Sequence, residues 1–188
     1  INNDLLRCYE KICGGDNIDG CFISDIDGNI YPIVTIGDQI WMTDNLRTTH
    51  YNNGHEIATG LDDTPWENAT TGAYAVYNNQ ESNEDTYGYL YNWYAVDDDR
   101  GLCPDGWHVP SDDEIKELEM FLGMSESEAN NTGYRGTDEG SKLAGNAELW
   151  NDGNLESNDE FGTSGFTALP SGYRYVYDGS YIHIGYYG

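Results

Sequence analysis

The sequence predicts an α+β fold with two helices, small antiparallel sheets and long irregular loops. Three features carry that expectation. The segment SDDEIKELEMFLG, residues 111–123, has a full set of helix start and stop signals. Two stretches, 30–43 and 173–187, are β-branched or aromatic runs broken by Gly-containing turns. Gly-, Asn- and acid-rich segments separate them. The 188 residues suffice for one domain with an appendage, read here as a Cys-containing extension or end of a preceding module over 1–22 and a domain over 23–188.

In chain order, the extension RCYEKICGGDNIDGC carries turn signals at Gly14-Gly15 and Asp19-Gly20. Residues Ile30 to Ile36 and Gln39 to Thr43 then read as a hairpin joined at Gly37-Asp38, the N-terminal edge of the fold. From Arg47 to Thr86 the composition predicts structured loops with one strand, near Ala73 to Tyr77. In TYGYLYNWYAV, helical spacing puts Tyr87, Tyr91 and Tyr94 on one stripe and Leu90, Trp93 and Tyr94 on the next, which predicts a substantially buried helix. In the next helix Ser111 caps, Glu114 reciprocates, Ile115, Leu118 and Leu122 face inward and Gly123 stops it. Residues Ser125 to Thr163 read as loop, and two strands meeting at Asp178-Gly179 close the sequence.

Composition excludes several classes of function. With 34 acidic and 8 basic side chains the formal net charge is −26, so phosphate backbones and anionic membranes would be repelled. No apolar run approaches the ~18 residues needed to cross a bilayer, so no membrane insertion is expected. Aromatic residues, 16 of them Tyr, make up 13% of the chain, so the core must lean on large rings. Cys8, Cys13, Cys21 and Cys103 fit disulfides in an oxidising compartment better than a zinc site, because neither Cys-x-x-Cys nor a nearby His completes a tetrahedral set.

The segments DIDGNIYPIVTIGDQIWMTDNLRTTHYNNG, GAYAVYNN, YGYLYNWYAV, RGLCPDGWHVPSDDE, GYRGTDEGSKL and SGFTALPSGYR occur in the order of a bacterial family. Over about Asp25 to Gly188 the chain resembles the Fibrobacter succinogenes major paralogous domain, found in secreted and surface proteins. The resemblance implies a C-type-lectin-like fold with small twisted sheets. Related folds serve as adhesins, as receptor binders and as the formylglycine-generating enzyme. In the family a segment like GYYG precedes a Trp-Trp-Ser-Ser stretch and closing strands, the last bearing a Cys that pairs with the one matched by Cys103. The domain is therefore expected to lack its C-terminal strands in this sequence, or to receive strands from a neighbour. If all four thiols pair internally, one of Cys8, Cys13 and Cys21 must reach Cys103; if Cys103 keeps the family's partner, the other three are odd in number.

The residues give little sign of catalysis. Asp62-Asp63 and Asp97-Asp98-Asp99 read as solvated loop faces, the histidines His50, His55, His108 and His183 are scattered, and no Gly-x-Ser-x-Gly elbow is present. The cysteine pair that the formylglycine-generating enzyme uses is missing, so no enzyme activity is expected. Calcium is the one cofactor left open. Asp25 to Asn29 and Asp16 to Gly20 start like calcium loops but reach no Glu at the twelfth place. Trp150-Asn151-Asp152 matches the triplet of sugar-binding C-type lectins, making Asn151 and Asp152 the candidate ligands. Tyr173, Tyr175, Tyr177, Tyr181, Tyr186 and Tyr187 recur mostly at period two, so alternate rings should line one face. The expectation is an extracellular recognition or adhesion module binding a glycan or protein through Tyr175, Tyr177, Tyr181, Tyr186 and Tyr187. The alternative is a self-associating subunit of a surface appendage or filament.

Overall fold

A computed structural model describes residues 21–188. It is a mixed α/β structure of small antiparallel sheets and few helices, in which most of the chain is loop. The largest sheet has three strands in the order β1 (Phe22–Ser24), β2 (Ile30–Ile36) and β3 (Gln39–Met42). The expected hairpin is present in the expected register, with Ile36 opposite Gln39 and Gly37 turning at φ 62°. Glycine is required there twice over, because a Cβ would also stand 2.8 Å from the Phe121 ring. The hairpin is not the edge of the fold, however. β1 pairs with β2, and Ile33 N–H donates to the Cys21 carbonyl, so the sheet starts inside the segment assigned to the extension.

The turn between β1 and β2 shows what its acidic residues do. The buried Asp25 carboxylate accepts from Asn29 N–H at 2.9 Å, from Asn29 Nδ2 at 2.8 Å and from the Tyr31 hydroxyl at 2.6 Å. Asp25 therefore serves as a turn anchor whose oxygens are taken up by protein donors. Asp16 to Gly20 lies outside the described residues, as do Cys8 and Cys13.

The helix expected over 111–123 forms as α4, Asp112–Phe121, after three shorter helices introduced below. Its capping box is complete: Ser111 Oγ accepts from Glu114 N–H, and Glu114 Oε2 accepts from Ser111 N–H at 2.8 Å. Leu118 is buried, and Ile115 and Leu122 are half-buried beside it. The second expected helix does not form. Residues 84–96 break into α2 (Glu84–Tyr87), strand β5 (Leu90–Tyr91) and a single turn, α3 (Trp93–Val96). Gly88 at φ 66°, ψ −151° breaks the helical path, β5 pairs with β4 (Tyr74–Ala75), and Asn92 caps α3 by accepting from Ala95 N–H. Trp93 and Tyr94 are consequently exposed rather than buried. The regions read as loop also hold α1 (Asp63–Glu67), α5 (Glu126–Ala129) and α6 (Glu139–Leu143). The last two strands, β6 (Tyr173–Arg174) and β7 (Tyr181–Ile182), form the expected hairpin but contribute only two residue pairs.

Large rings do fill the interior. One cluster joins Cys21, Ile23, Tyr31 and Ile33, a second Tyr51, Ile57, Ala95 and Leu102, and Leu46 packs against both. A third, of Trp66, Ala73 and Ala75, sits beneath the C-terminal hairpin with Leu61 and Tyr181. Cys21 is disulfide-bonded and Cys103 is a free thiol, so no bridge joins these two. No helix among the described residues is long and apolar enough to cross a membrane.

Removing the α4 cap with Ser111→Ala should lower unfolding stability by about 1 kcal/mol. The Ser111 backbone N–H, then its hydroxyl, then His108 hold the Glu114 carboxyl down to about 2 from 4.5. A carboxyl depressed in the folded state stabilises above its unfolded pKa and loses that contribution as pH falls through the folded value. Melting temperatures of the wild type and Glu114→Gln should therefore differ at neutral pH and converge between pH 4.5 and about 2. Thermal denaturation followed by circular dichroism checks both expectations.

Candidate functional site

The β6–β7 hairpin divides its aromatic side chains between two faces. Arg174 and Tyr181 are register partners and so point the same way, inward. The Arg174 side chain, 1% exposed, lies over Trp66 at 4.4 Å and over Tyr181 at 4.7 Å. Its Nε donates to the Gly179 carbonyl at 2.8 Å, and its Nη2 to the Leu61 carbonyl at 2.8 Å and to Asp63 Oδ1 at 3.3 Å. Gly179 turns at φ 73°, and a Cβ there would collide with the Asp63 backbone. One guanidinium thus ties the hairpin to the segment that leads into α1.

The opposite face carries a continuous run of exposed rings. Tyr173 meets Tyr175 at 6.3 Å and Tyr175 meets Tyr177 at 5.2 Å, both edge-on. Tyr173 also stacks on His183 at 5.6 Å and reaches Tyr187 at 6.3 Å. His183 makes edge contacts with Tyr186 and Tyr187, and the Tyr134 and Tyr187 hydroxyls share a hydrogen bond at 2.5 Å. Tyr134 is 91% exposed, Tyr177 73% and Tyr186 64%. Edge-on packing at these separations is favourable in itself, so the rings form a preordered platform.

Of the five tyrosines expected to bind, the structure gathers Tyr175, Tyr177, Tyr186 and Tyr187 on this face. Tyr181 is the exception. It is half-buried against Tyr77 and Arg174 and its hydroxyl donates to Asn79 Oδ1, because its register position faces the core. Three members of the platform were outside those five. Tyr173 and His183 lie in the same strand pattern and could have been included; Tyr134 comes from a distant loop and had no sequence signal. Asn151 and Asp152 are apart from any carboxylate cluster: Asn151 N–H donates to the Gly185 carbonyl and its side chain rests on Gly185. Among the described residues no group of three or more His, Cys, Asp or Glu is placed to hold a metal ion.

A second concavity lies between β3 and α4. About 500 Å³ in volume, it is walled chiefly by Trp41, Met42, Leu46, Trp107 and Phe166, with Cys103 against it. Several of its polar groups are bonded to one another: Gln39 Nε2 donates to the Glu114 carbonyl, Trp41 Nε1 to Gln39 Oε1, and His108 Nε2 pairs with Glu114 Oε1 at 2.8 Å. These polar groups are already partnered, leaving little in the cavity to orient a ligand. His108 is hydrogen-bonded there, to the Glu114 carboxylate. Burial pushes the Cys103 thiol up to about 11, which keeps it protonated and unreactive near neutral pH.

Comparison with known proteins identifies the chain at the level of family. The model of the Fibrobacter succinogenes major domain matches residues 34–188, and the chain belongs to that family. Neither the search of curated proteins nor that of solved structures found a match.

Arg174→Met should remove the bonds to Leu61 and Gly179 and leave two carbonyls short of a donor, lowering stability by about 3 kcal/mol in urea titration. Alkylation of Cys103 by iodoacetamide, mapped by mass spectrometry, should be slow at pH 8. It should accelerate as pH rises toward about 11 or when the chain is unfolded.

Proposed function

We propose that this chain is an extracellular, non-enzymatic recognition module on a C-type-lectin-like scaffold, binding a glycan or protein through the tyrosine face of its C-terminal hairpin. The exposed, mutually packed row of Tyr173, Tyr175, Tyr177 and Tyr187 with His183 carries this reading. Exposed rings at this density increase a monomer's tendency to associate, so binding is the use that accounts for them. Tyrosine suits that use: it offers a large flat area with a terminal hydroxyl and only two side-chain torsions to immobilise. The long loops held by short sheets and a single ten-residue helix fit the lectin-like scaffold.

A binding screen over immobilised polysaccharides and purified surface proteins tests the reading, with the wild-type chain compared with Tyr177→Ala combined with Tyr186→Ala. At least one ligand should lose affinity by about tenfold or more in the variant, with its circular dichroism unchanged. Repeating the screen after chelation reports whether calcium takes part. The proposal fails if every ligand binds both proteins equally. A mass in solution that grows with concentration and is insensitive to the tyrosine substitutions would indicate an assembling subunit instead.

A further inference from the structure

The distribution of charge around the tyrosine face narrows what it can hold. All six Lys and Arg residues among the described residues are already paired with carboxylates. Arg47 reaches Asp85 at 3.9 Å, Arg100 Asp98 at 2.7 Å and Lys116 Asp112 at 2.6 Å. Arg135 reaches Glu119 at 2.9 Å, Lys142 Asp138 at 2.8 Å and Arg174 Asp63 at 3.3 Å. Arg135, next to Tyr134 in sequence, is thus committed to Glu119, and Arg174 is committed beneath the hairpin. With 34 carboxylates against 8 basic groups in the whole chain, the surplus surface charge is negative.

An acidic group also stands at the end of the row: Asp178 follows Tyr177 in the turn, and Ser180 takes up only its Oδ1. The loop carrying Asp152 is joined to Gly185 at the Tyr186 end through Asn151. Ring faces bear the negative end of the aromatic quadrupole and attract cations. An exposed tyrosine row ending at Asp178 on an acidic surface therefore offers a cation two attractions at once, whereas an anionic segment meets repulsion over the same surface.

Resting on the recognition reading above, the geometry points to a basic protein segment as the occupant, with Arg or Lys side chains laid over Tyr175 and Tyr177 and their charge met by Asp178. Arginine is favoured over lysine, because a planar guanidinium stacks on a ring while still bonding a carboxylate in its own plane. The pairing is of the kind already present inside the molecule, where the Arg174 guanidinium lies over Tyr181 and donates to Asp63.

Calorimetric titration of the whole chain with a short alternating Arg-Gly peptide, a matched Glu-Gly peptide and a neutral cello-oligosaccharide tests this. The Arg-Gly peptide should bind, the Glu-Gly peptide should not, and Tyr175→Leu with Tyr177→Leu should weaken the Arg-Gly complex about tenfold while leaving circular dichroism unchanged. Tyr177→Leu alone, at a ring 73% exposed, serves if the double variant does not fold. Equal affinity of wild type and tyrosine variants would mean that the acidic surface binds cations without the rings, and would overturn the inference. So would an Arg-Gly peptide that does not bind. If in that case the cello-oligosaccharide binds and the same substitutions abolish it, the ligand class is wrong and the recognition reading stands; if neither probe responds to the substitutions, both fail.

Discussion

A single buried guanidinium keeps the tyrosine platform in place. A hairpin of two residue pairs has too little hydrogen bonding and too little buried area to persist by itself. Arg174 supplies what is missing by binding the turn carbonyl of Gly179 and the Leu61 carbonyl together, while Trp66 and Tyr181 cover its two faces. Asp63 sits beside the buried guanidinium at 3.3 Å, and backbone carbonyls accept hydrogen bonds from its Nε and Nη2. With the inner face so anchored, the outer rings can remain in solvent without the hairpin collapsing around them.

The same economy runs through the rest of the molecule. Sheets of two to seven residues cannot satisfy the backbone of such long loops, so polar side chains do much of that work. Asn92 accepts from Ala73 N–H and Ala95 N–H and donates to the Thr71 carbonyl. Asn45 spans the Tyr87 carbonyl and Ser171 Oγ, joining the middle of the chain to the start of the C-terminal hairpin. Asp27 accepts from Thr48, Thr49 and His50, and these bonds draw its carboxyl below the ordinary value although burial acts the other way. The abundance of Asn, Asp and Thr therefore reflects architecture as much as solubility.

Charge and aromatic content work together at the proposed binding face. Each basic side chain among the described residues is paired with a carboxylate, which leaves the surplus carboxylates to set the sign of the surface. The apolar cavity beside Cys103 is large enough for a ligand, but Gln39, His108 and Glu114 in its wall are bonded to one another, so it provides more volume than direction. The hairpin face offers both a shape and a field.

Local rules were enough wherever a feature is local. The capping box at Ser111 and Glu114, the turn at Gly37-Asp38 and the closing turn at Asp178-Gly179 could all be read from a few adjacent residues, and the family from the order of its motifs. The cap at Ser125 and Glu128, which starts α5, obeys the same rule and was legible though passed over. The division of the candidate face was only half legible. Period two put Tyr173, Tyr175 and Tyr177 together, but Tyr181 goes inward because its pairing with Arg174 sets its side of the sheet, and register is a relation between strands. The aromatic stripe at 87–96 failed as a helix for the same kind of reason: β4 captured Leu90 and Tyr91 from across the fold. Composition and local spacing determined the charge, the long helix and the turns. Which rings face solvent, where Arg174 lies and that Tyr134 joins the platform were decided by contacts between segments far apart in the chain, whose energies no short window of residues contains.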